Sequence, residues 1–247
     1  ICFDPNIRFV LYIDEDDDGA VLPTASNVCV RRLKPAFYPV WEQFRLPLAL
    51  YTDRVDIFHA LGNTAPIFIP SGTRLILTLH DVMFLRAGEL IPLPTTFYQR
   101  LGRRYRSLVT PRNARRADAL VTISEFSRRD ILSSIVGLDG NNLFTIYEAC
   151  DPLFSVEMGC QAFDFTTPFF LCLGAEDPRK NTCRVVQSFL NAIIEHGIEH
   201  DLLISGYANW EGSPAHRLVQ ESGFESRIHF LPFISVSELI NLYRQAT

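Results

Sequence analysis

The chain has 247 residues, 47% hydrophobic and 21% charged, the composition of an ordinary folded protein with room for one or two domains and real cores. No apolar run approaches the roughly 18 residues that a membrane-spanning helix needs. With 23 basic against 28 acidic residues the formal net charge is −5, which argues against wholesale wrapping of nucleic acid, and no nucleic-acid partner is expected.

The six cysteines, Cys2, Cys29, Cys150, Cys160, Cys172 and Cys183, are scattered without any Cys-x-x-Cys spacing and read as reduced thiols. No charged n-region followed by an apolar h-region opens the sequence, so the cytoplasm is the expected location. The chain starts on Ile1, and its last segment, 237–247, carries helical apolar spacing without a capping glycine or asparagine. Both ends therefore read as cut from something longer.

Along the chain, short apolar, β-branched runs alternate with amphipathic stretches of about ten or more residues, the pattern of βαβ units around a mostly parallel sheet. Strands are expected over 7–13, 28–33, 55–59, 75–79, 119–123, 143–147, 169–173, 201–205 and 227–231. Helices are expected over 40–51, 95–117, 125–135, 182–196, 214–221 and 236–246. In the fourth of these, Val185, Val186, Phe189, Leu190, Ile193 and Ile194 recur on one face before Gly197 stops the helix. The stretch 151–168 has no period and contains Pro152, Gly159, Thr166, Thr167 and Pro168, which reads as a linker. The expected fold is α/β: two Rossmann-like, doubly wound parallel-sheet units, residues 1–155 and 169–247, with a cleft between them.

Open parallel sheets bind ligands outside the carboxyl ends of their strands. The expected strands of the first unit run into His59, His80-Asp81 and Ser124-Glu125, and those of the second into Gly174, Gly206 and Pro232-Phe233. The most informative segment is Phe169–Leu173 followed by Gly174-Ala175-Glu176-Asp177-Pro178-Arg179-Lys180-Asn181 and an amphipathic helix. A helix amino end already favours an anion, Arg179 adds a planar fork of donors, and Lys180 adds a point charge. Of the 23 basic residues only Lys34 and Lys180 are lysines. A plainer reading of the same segment is a solvated helix start with Asn181 as N-cap. His80 suits a hydrogen-bond donor or proton shuttle, or a satisfied structural histidine, and His59 has the same placement.

Three other patterns are weighed against simpler explanations. Asp14-x-Asp16-x-Asp18-Gly19 resembles half of a calcium loop, yet its twelfth position is Ala25, so a solvated acidic turn is the simpler reading. His196-Gly197-Ile198-Glu199-His200 spells an inverted zinc-protease pattern, which needs one continuous helix that Gly197 interrupts. Arg100, Arg103, Arg104, Arg106, Arg112, Arg115 and Arg116 put seven cations in seventeen residues, a solvated helix face or a peripheral contact with an anionic membrane at its inner face.

Taken in order, Val55-Asp56-Ile57-Phe58-His59, Leu77-Thr78-Leu79-His80-Asp81, Val121-Thr122-Ile123-Ser124-Glu125-Phe126-Ser127, Ile146-Tyr147-Glu148 with Asp151, and Leu173-Gly174 through Pro178-Arg179-Lys180-Asn181 resemble glycosyltransferase family 4, the group 1 glycosyltransferases of the GT-B fold. Phe230-Leu231-Pro232-Phe233-Ile234-Ser235, then Glu238-Leu239, continue the match from about Val55 to the end of the chain.

The resemblance implies retaining transfer of a sugar from a nucleotide-sugar donor to a saccharide or lipid-linked acceptor, in bacterial polysaccharide or glycolipid assembly. Arg179 and Lys180 would hold the donor diphosphate, with Gly174 beside them, and backbone groups near Phe233 and Ile234 would meet the base. His80 would be the catalytic residue beside the donor sugar, with His59, Asp81 and Ser124 on the acceptor side. No metal and no other cofactor would be needed, since fixed cations meet the leaving diphosphate.

The departures are specific. Ala149-Cys150 stands where the family usually has a glycine before its Asp, and Ala175 where Thr is common. The glycine-rich loop after the family's first strand is absent, and its Glu-x7-Glu motif would lie beyond Thr247. An incomplete donor pocket, with little turnover by these residues alone, is therefore expected. A nucleotide-sugar epimerase of the same architecture and a non-catalytic binding module of the same fold remain as alternatives.

Overall fold

A computed structural model describes residues 4–14, 22–35, 37–86, 97–154, 165 and 167–247, and all structural statements below concern these. The chain divides into two compact units, Ile1–Glu148 and Ala149–Thr247.

The first unit opens with two parallel strands, β1 (Phe9–Asp14) and β2 (Val28–Leu33), which pair from Phe9 with Val28 to Asp14 with Leu33. A second parallel sheet follows in the order β3 (Ile57–Ala60), β4 (Arg74–Thr78), β5 (Ala119–Thr122), β6 (Leu143–Thr145). The front-half strands thus form two ladders among the described residues rather than one. Side chains, not a shared ladder, tie the first pair to its unit. Tyr12 Oη donates to Asp53 Oδ2 at 2.8 Å, and Arg31 Nη1 pairs with Asp53 Oδ1 at 2.8 Å. Burial, and then the Asp53 carboxylate, push the Tyr12 phenol well above its ordinary pKa, so it stays a donor.

The helix expected over 40–51 begins earlier and is broken into pieces: α1 (Tyr38–Val40), a π-helical stretch Trp41–Arg45 and α2 (Leu46–Asp53). Pro47 carries no N–H for the Gln43 carbonyl, so the ordinary ladder fails at this point. The Leu46 N–H reaches back to the Trp41 carbonyl instead. Further along lie α3 (Phe97–Arg116) and α4 (Glu125–Ser134), the latter capped by the Ser124 side chain, which accepts from Ser127 N. Leu75 and Leu77 of β4, Leu120 of β5 and Leu143 of β6 share one core with Ala114 of α3 and Ile131 of α4. Each leucine so buried contributes about 1.5–3 kcal/mol relative to exposure.

The second unit is a three-stranded parallel sheet in the order β7 (Phe169–Leu173), β8 (Asp201–Ser205), β9 (Ile228–Phe230). Its helices are α5 (Thr182–His196), α6 (Pro214–Gln220) and α7 (Val236–Gln245). Every residue of β8 is buried, as a central parallel strand covered on both faces requires. Leu202 and Ile204 face Val186, Phe189 and Ile193 of α5 and Ala215 and Val219 of α6, while Leu203 between them joins Phe169 and Leu242 of α7. Asp201, at the amino end of β8, holds Arg227 at 2.8 Å and His229 at 2.9 Å.

All nine expected strands are present, most of them a residue or two shorter than the apolar run that announces them. Of the expected 151–168 linker, the described part includes a short 3-10 turn, Pro152–Phe154; Gly159 and Thr166 lie outside the described residues.

Candidate functional site

In the first unit residues at or near the carboxyl ends of β3, β4 and β6 are linked by hydrogen bonds and one ion-pair contact. His59, the third residue of β3 rather than its end, sets its Nε2 2.8 Å from Thr78 Oγ1 on β4. Partial removal of its ring from water holds its pKa below the usual imidazole value. Past Thr78 the chain turns out of the sheet at His80, whose backbone N–H donates to Asn63 Oδ1 at 2.8 Å. The His80 ring bridges two further groups. Nε2 lies 2.9 Å from the Leu61 carbonyl and must donate to it, because a carbonyl only accepts. Nδ1 lies 3.3 Å from Oε1 of Glu148, which follows β6.

Asp81 and Ser124 are occupied locally. Asp81 Oδ1 accepts from Met83 N at 3.0 Å and opens the 3-10 turn Met83–Leu85, and Ser124 is the N-cap of α4. The structure therefore brings His80 together with Leu61, Asn63 and Glu148, and His59 with Thr78. Asn63 and Glu148 were not singled out as site residues by sequence. The signal for Glu148 was its place after a strand, shared with His80 and Ser124; Asn63 gave none beyond lying in a loop.

In the second unit β7 and β8 are each followed directly by glycine, Gly174 and Gly206. A Cβ on Gly174 would lie 2.5 Å from Ile204 Cγ2, so only glycine fits without a shift of the core. Gly206 adopts φ 85, and a Cβ there would lie 3.4 Å from the Gly174 carbonyl oxygen. The segment between Gly174 and α5 is pinned at its base: Thr182, buried, accepts from Ala175 N and donates to Ala175 O, both at 3.2 Å.

Arg179 and Lys180 then sit exposed in a 3-10 turn, Pro178–Lys180. The Arg179 guanidinium grips Asp177: Nη2 donates to Oδ2 at 2.6 Å and Nε at 3.0 Å, and the Arg179 backbone N–H donates to Oδ1 at 2.9 Å. These bonds hold the Asp177 carboxyl below the usual carboxylate range. Asp177 is the partner that sequence reasoning missed, although an aspartate two residues before an arginine is a turn signal.

The Asn181 capping expected as the plainer reading does not occur. Asn181 stands at the N-cap position in the left-handed region, φ 54, and its side chain makes no capping bond. Phe233 is exposed beyond β9, whereas Ile234 packs against the cluster of Phe169, Leu203 and Leu242. Burial pushes the pKa of the Cys172 thiol on β7 up.

The remaining patterns resolve simply. Gly197, at φ 61, ends α5, so His196 and His200 share no helix face, and His200 stacks on Phe170 at 4.8 Å. Asp16 and Asp18 lie outside the described residues. On α3 the arginines are partly spent within their own unit. Arg103 donates to the Phe84 and Arg86 carbonyls, Arg115 to Val136 and Arg116 to Pro66 and Ile67. Arg106 stands 5.9 Å over the Phe84 ring. Among the described residues no helix is long and apolar enough to cross a membrane.

No protein-family model matches the chain. In sequence it is 23% identical over 180 residues to the O-antigen chain mannosyltransferase B of Escherichia coli, a match that covers 70% of this chain and 45% of that protein. In structure it is similar to a sucrose-phosphate synthase of Thermosynechococcus elongatus, with a TM-score of 0.64 over 96% of this chain and 63% of that one, at 16% identity. A glycosyltransferase of Rickettsia africae aligns with a TM-score of 0.58 over 98% of this chain and 72% of its own length, at 11% identity. The fold is that of the GT-B glycosyltransferases. Two Rossmann-like units built on parallel sheets are what that fold comprises, and the chain spans less than half the length of the mannosyltransferase it matches.

Proposed function

We propose that the chain is part of a retaining glycosyltransferase of family 4 that moves a sugar from a nucleotide-sugar donor to a saccharide or lipid-linked acceptor. The observation that carries the reading is the β7–Gly174–turn–α5 arrangement. A strand end too tight for any side chain opens onto a turn bearing Arg179 and Lys180 and onto a helix start that Asn181 leaves uncapped. A diphosphate there would meet Lys180 and the amino end of α5, and would share the Arg179 guanidinium with Asp177. As the bond from sugar to diphosphate breaks, negative charge grows on the departing phosphate oxygens, and fixed cations stabilise it without a metal. The likeness to a mannosyltransferase makes mannose the first donor sugar to try, and an Anabaena HepE structure of the same fold in complex with UDP supports a nucleoside diphosphate. The retaining outcome rests on the family resemblance.

On this reading His80 lies on the sugar side of the reaction, oriented by Leu61, Asn63 and Glu148, and His59, Asp81 and Ser124 border the acceptor. A lipid-linked acceptor fits one face of α3. There Phe97, Leu101 and Leu108 are exposed beside Arg104 and Arg112 at helical spacing, a surface suited to an anionic bilayer on the cytoplasmic side.

The test is titration of the full chain with uridine, guanosine and adenosine diphosphate sugars, followed by transfer assays of two variants. Arg179→Ala is expected to weaken nucleoside diphosphate binding by about ten- to a hundredfold, and Arg179→Lys should not restore it. His80→Asn is expected to lose transfer while binding nucleotide as before. Unchanged transfer in His80→Asn overturns the assignment of this histidine, and unchanged binding in Arg179→Ala overturns the diphosphate site.

A further inference from the structure

The most enclosed charged group of the first unit lies away from the strand ends. Glu42, in the π-helical stretch Trp41–Arg45, is 2% exposed. Its carboxylate is saturated by neutral donors. Oε1 accepts from Thr64 Oγ1 at 2.6 Å and from Tyr38 Oη at 2.7 Å. Oε2 accepts from Gln43 Nε2 at 2.9 Å and from Tyr105 Oη of α3. Two oxygens offer about four acceptor sites, and all are filled. Among the described residues no lysine, arginine or histidine bonds it. Burial first, and then the Glu42 charge, push the Tyr38 and Tyr105 phenols well above their ordinary pKa, so both remain donors to it.

A buried carboxylate without a cation is costly to keep and needs a reason. What it holds is the segment 61–67. Thr64 hangs directly from Glu42, while Gln43 accepts from Ile67 N at 2.8 Å and donates to Ala65 O at 3.3 Å. From the other side Thr110 Oγ1 donates to Asn63 O at 2.9 Å and Asn113 Nδ2 to Ala65 O at 2.6 Å. The same segment supplies two of the groups that fix His80: Asn63 Oδ1 for its backbone and the Leu61 carbonyl for its ring. Asn63 itself adopts φ 63, the left-handed region that asparagine enters more readily than most non-glycine residues.

We propose that Glu42 is a positioning residue for His80: the Glu42–Tyr38–Thr64–Tyr105 knot fixes the loop whose Leu61 carbonyl and Asn63 side chain set the tautomer and direction of the His80 ring. The proposal rests on the reading of His80 as a participant in sugar transfer. It adds a residue that never meets substrate, reached through one loop of four residues.

Two variants of the full chain test it, Glu42→Gln, which turns one acceptor oxygen into a donor facing hydroxyls, and Tyr105→Phe, which removes one donor and leaves the carboxylate. In both, the transfer kcat per folded molecule is expected to fall roughly ten- to a hundredfold, as small misplacements of a reacting group do, with nucleoside diphosphate affinity unchanged. Whatever residual transfer the His80→Asn background keeps should not fall further with Glu42→Gln, because the two act as one unit. Independently of activity, long-range proton–nitrogen NMR of the His80 ring, assigned by difference with His80→Asn, should show Nε2–H in the wild type and a shifted ring in both variants. The His229 ring of the second unit should stay in place. Unmoved His80 signals in a folded Glu42→Gln, or independent, multiplying effects of Glu42→Gln and His80→Asn on transfer, overturn the proposal. A wild type that binds no nucleoside diphosphate overturns the glycosyltransferase reading instead, and the NMR comparison still decides the positioning role.

Discussion

The two units use the same architectural opportunity, the open carboxyl ends of parallel strands, in opposite ways. In the first unit the ends are lined with polar groups that bond: His59 to Thr78 through their side chains, and His80 to Asn63 through its backbone N–H and to the Leu61 carbonyl and Glu148 through its ring. In the second the ends are stripped to glycine at Gly174 and Gly206, and the charged residues wait one turn further on, in Asp177, Arg179 and Lys180. The difference teaches what each end can do. Oriented side chains suit neutral hydroxyls and proton positioning, whereas bare backbone with nearby cations suits a bulky anion that must come close to the main chain.

The largest loss is expected where the second unit allows no side chain at all. Gly174→Ala puts a methyl group 2.5 Å from Ile204 Cγ2, between β7, β8 and α5. Overpacking of this kind should cost about 1–3 kcal/mol, read from urea denaturation, and should weaken nucleotide binding by moving the turn that follows. Adding Ile204→Ala sharpens the comparison. If the clash is the cause, the double variant will be more stable than the sum of the two single losses implies. A Gly174→Ala protein as stable as the wild type would show that the second unit's strand end is not closed by packing, and the contrast drawn above would fail.

Most of the fold was readable before any coordinates, because β-branched runs and one-face helical spacing are local signals of burial. The one-face spacing of α5 and its stop at Gly197 match except at Ile194, which the expected face included and which is exposed. The pieces that were not readable are those in which chemistry overrides periodicity. Pro47 turns an expected helix into a π-helical stretch, and the 3-10 turns at Met83–Leu85 and Pro178–Lys180 are too short to carry a period. The candidate site was legible as a set of strand ends but not as bonds. That His80 meets Glu148 depends on β4 and β6 lying on either side of β5, which no local pattern states. Glu42 was invisible for the opposite reason: a glutamate reads as surface unless its four donors, spread from Tyr38 to Tyr105, are already folded around it.

A smaller effect separates capping from recognition at Ser124, whose side chain accepts from Ser127 N at 3.1 Å. Ser124→Ala should destabilise the first unit by about 1 kcal/mol, as N-cap losses do, and Ser124→Asp, itself a good cap, should restore the stability. If Ser124→Asp recovers stability but not transfer, the residue meets the acceptor as well as the helix. If both recover together, capping is its whole role, and the polar lining of the first unit is narrower than its sequence suggests.

The smallest expected effect is a change of slope. The His59 ring is held below its ordinary pKa by burial, so between that folded value and the ordinary 6.5 the folded chain binds fewer protons there than the unfolded chain does. Its contribution to stability is therefore complete above 6.5 and drains away as the pH falls from there through the folded value. His59→Asn removes the titrating group and keeps a partner for Thr78 Oγ1. The decline of the urea midpoint between about pH 7.5 and 5 should become shallower in this variant, while the pH dependence of nucleotide binding in the second unit stays as it was. An unaltered decline would mean that His59 is as open to water in the folded chain as in the unfolded one. The strand end of β3 would then be a wet rim rather than part of the bonded set that distinguishes the first unit from the second.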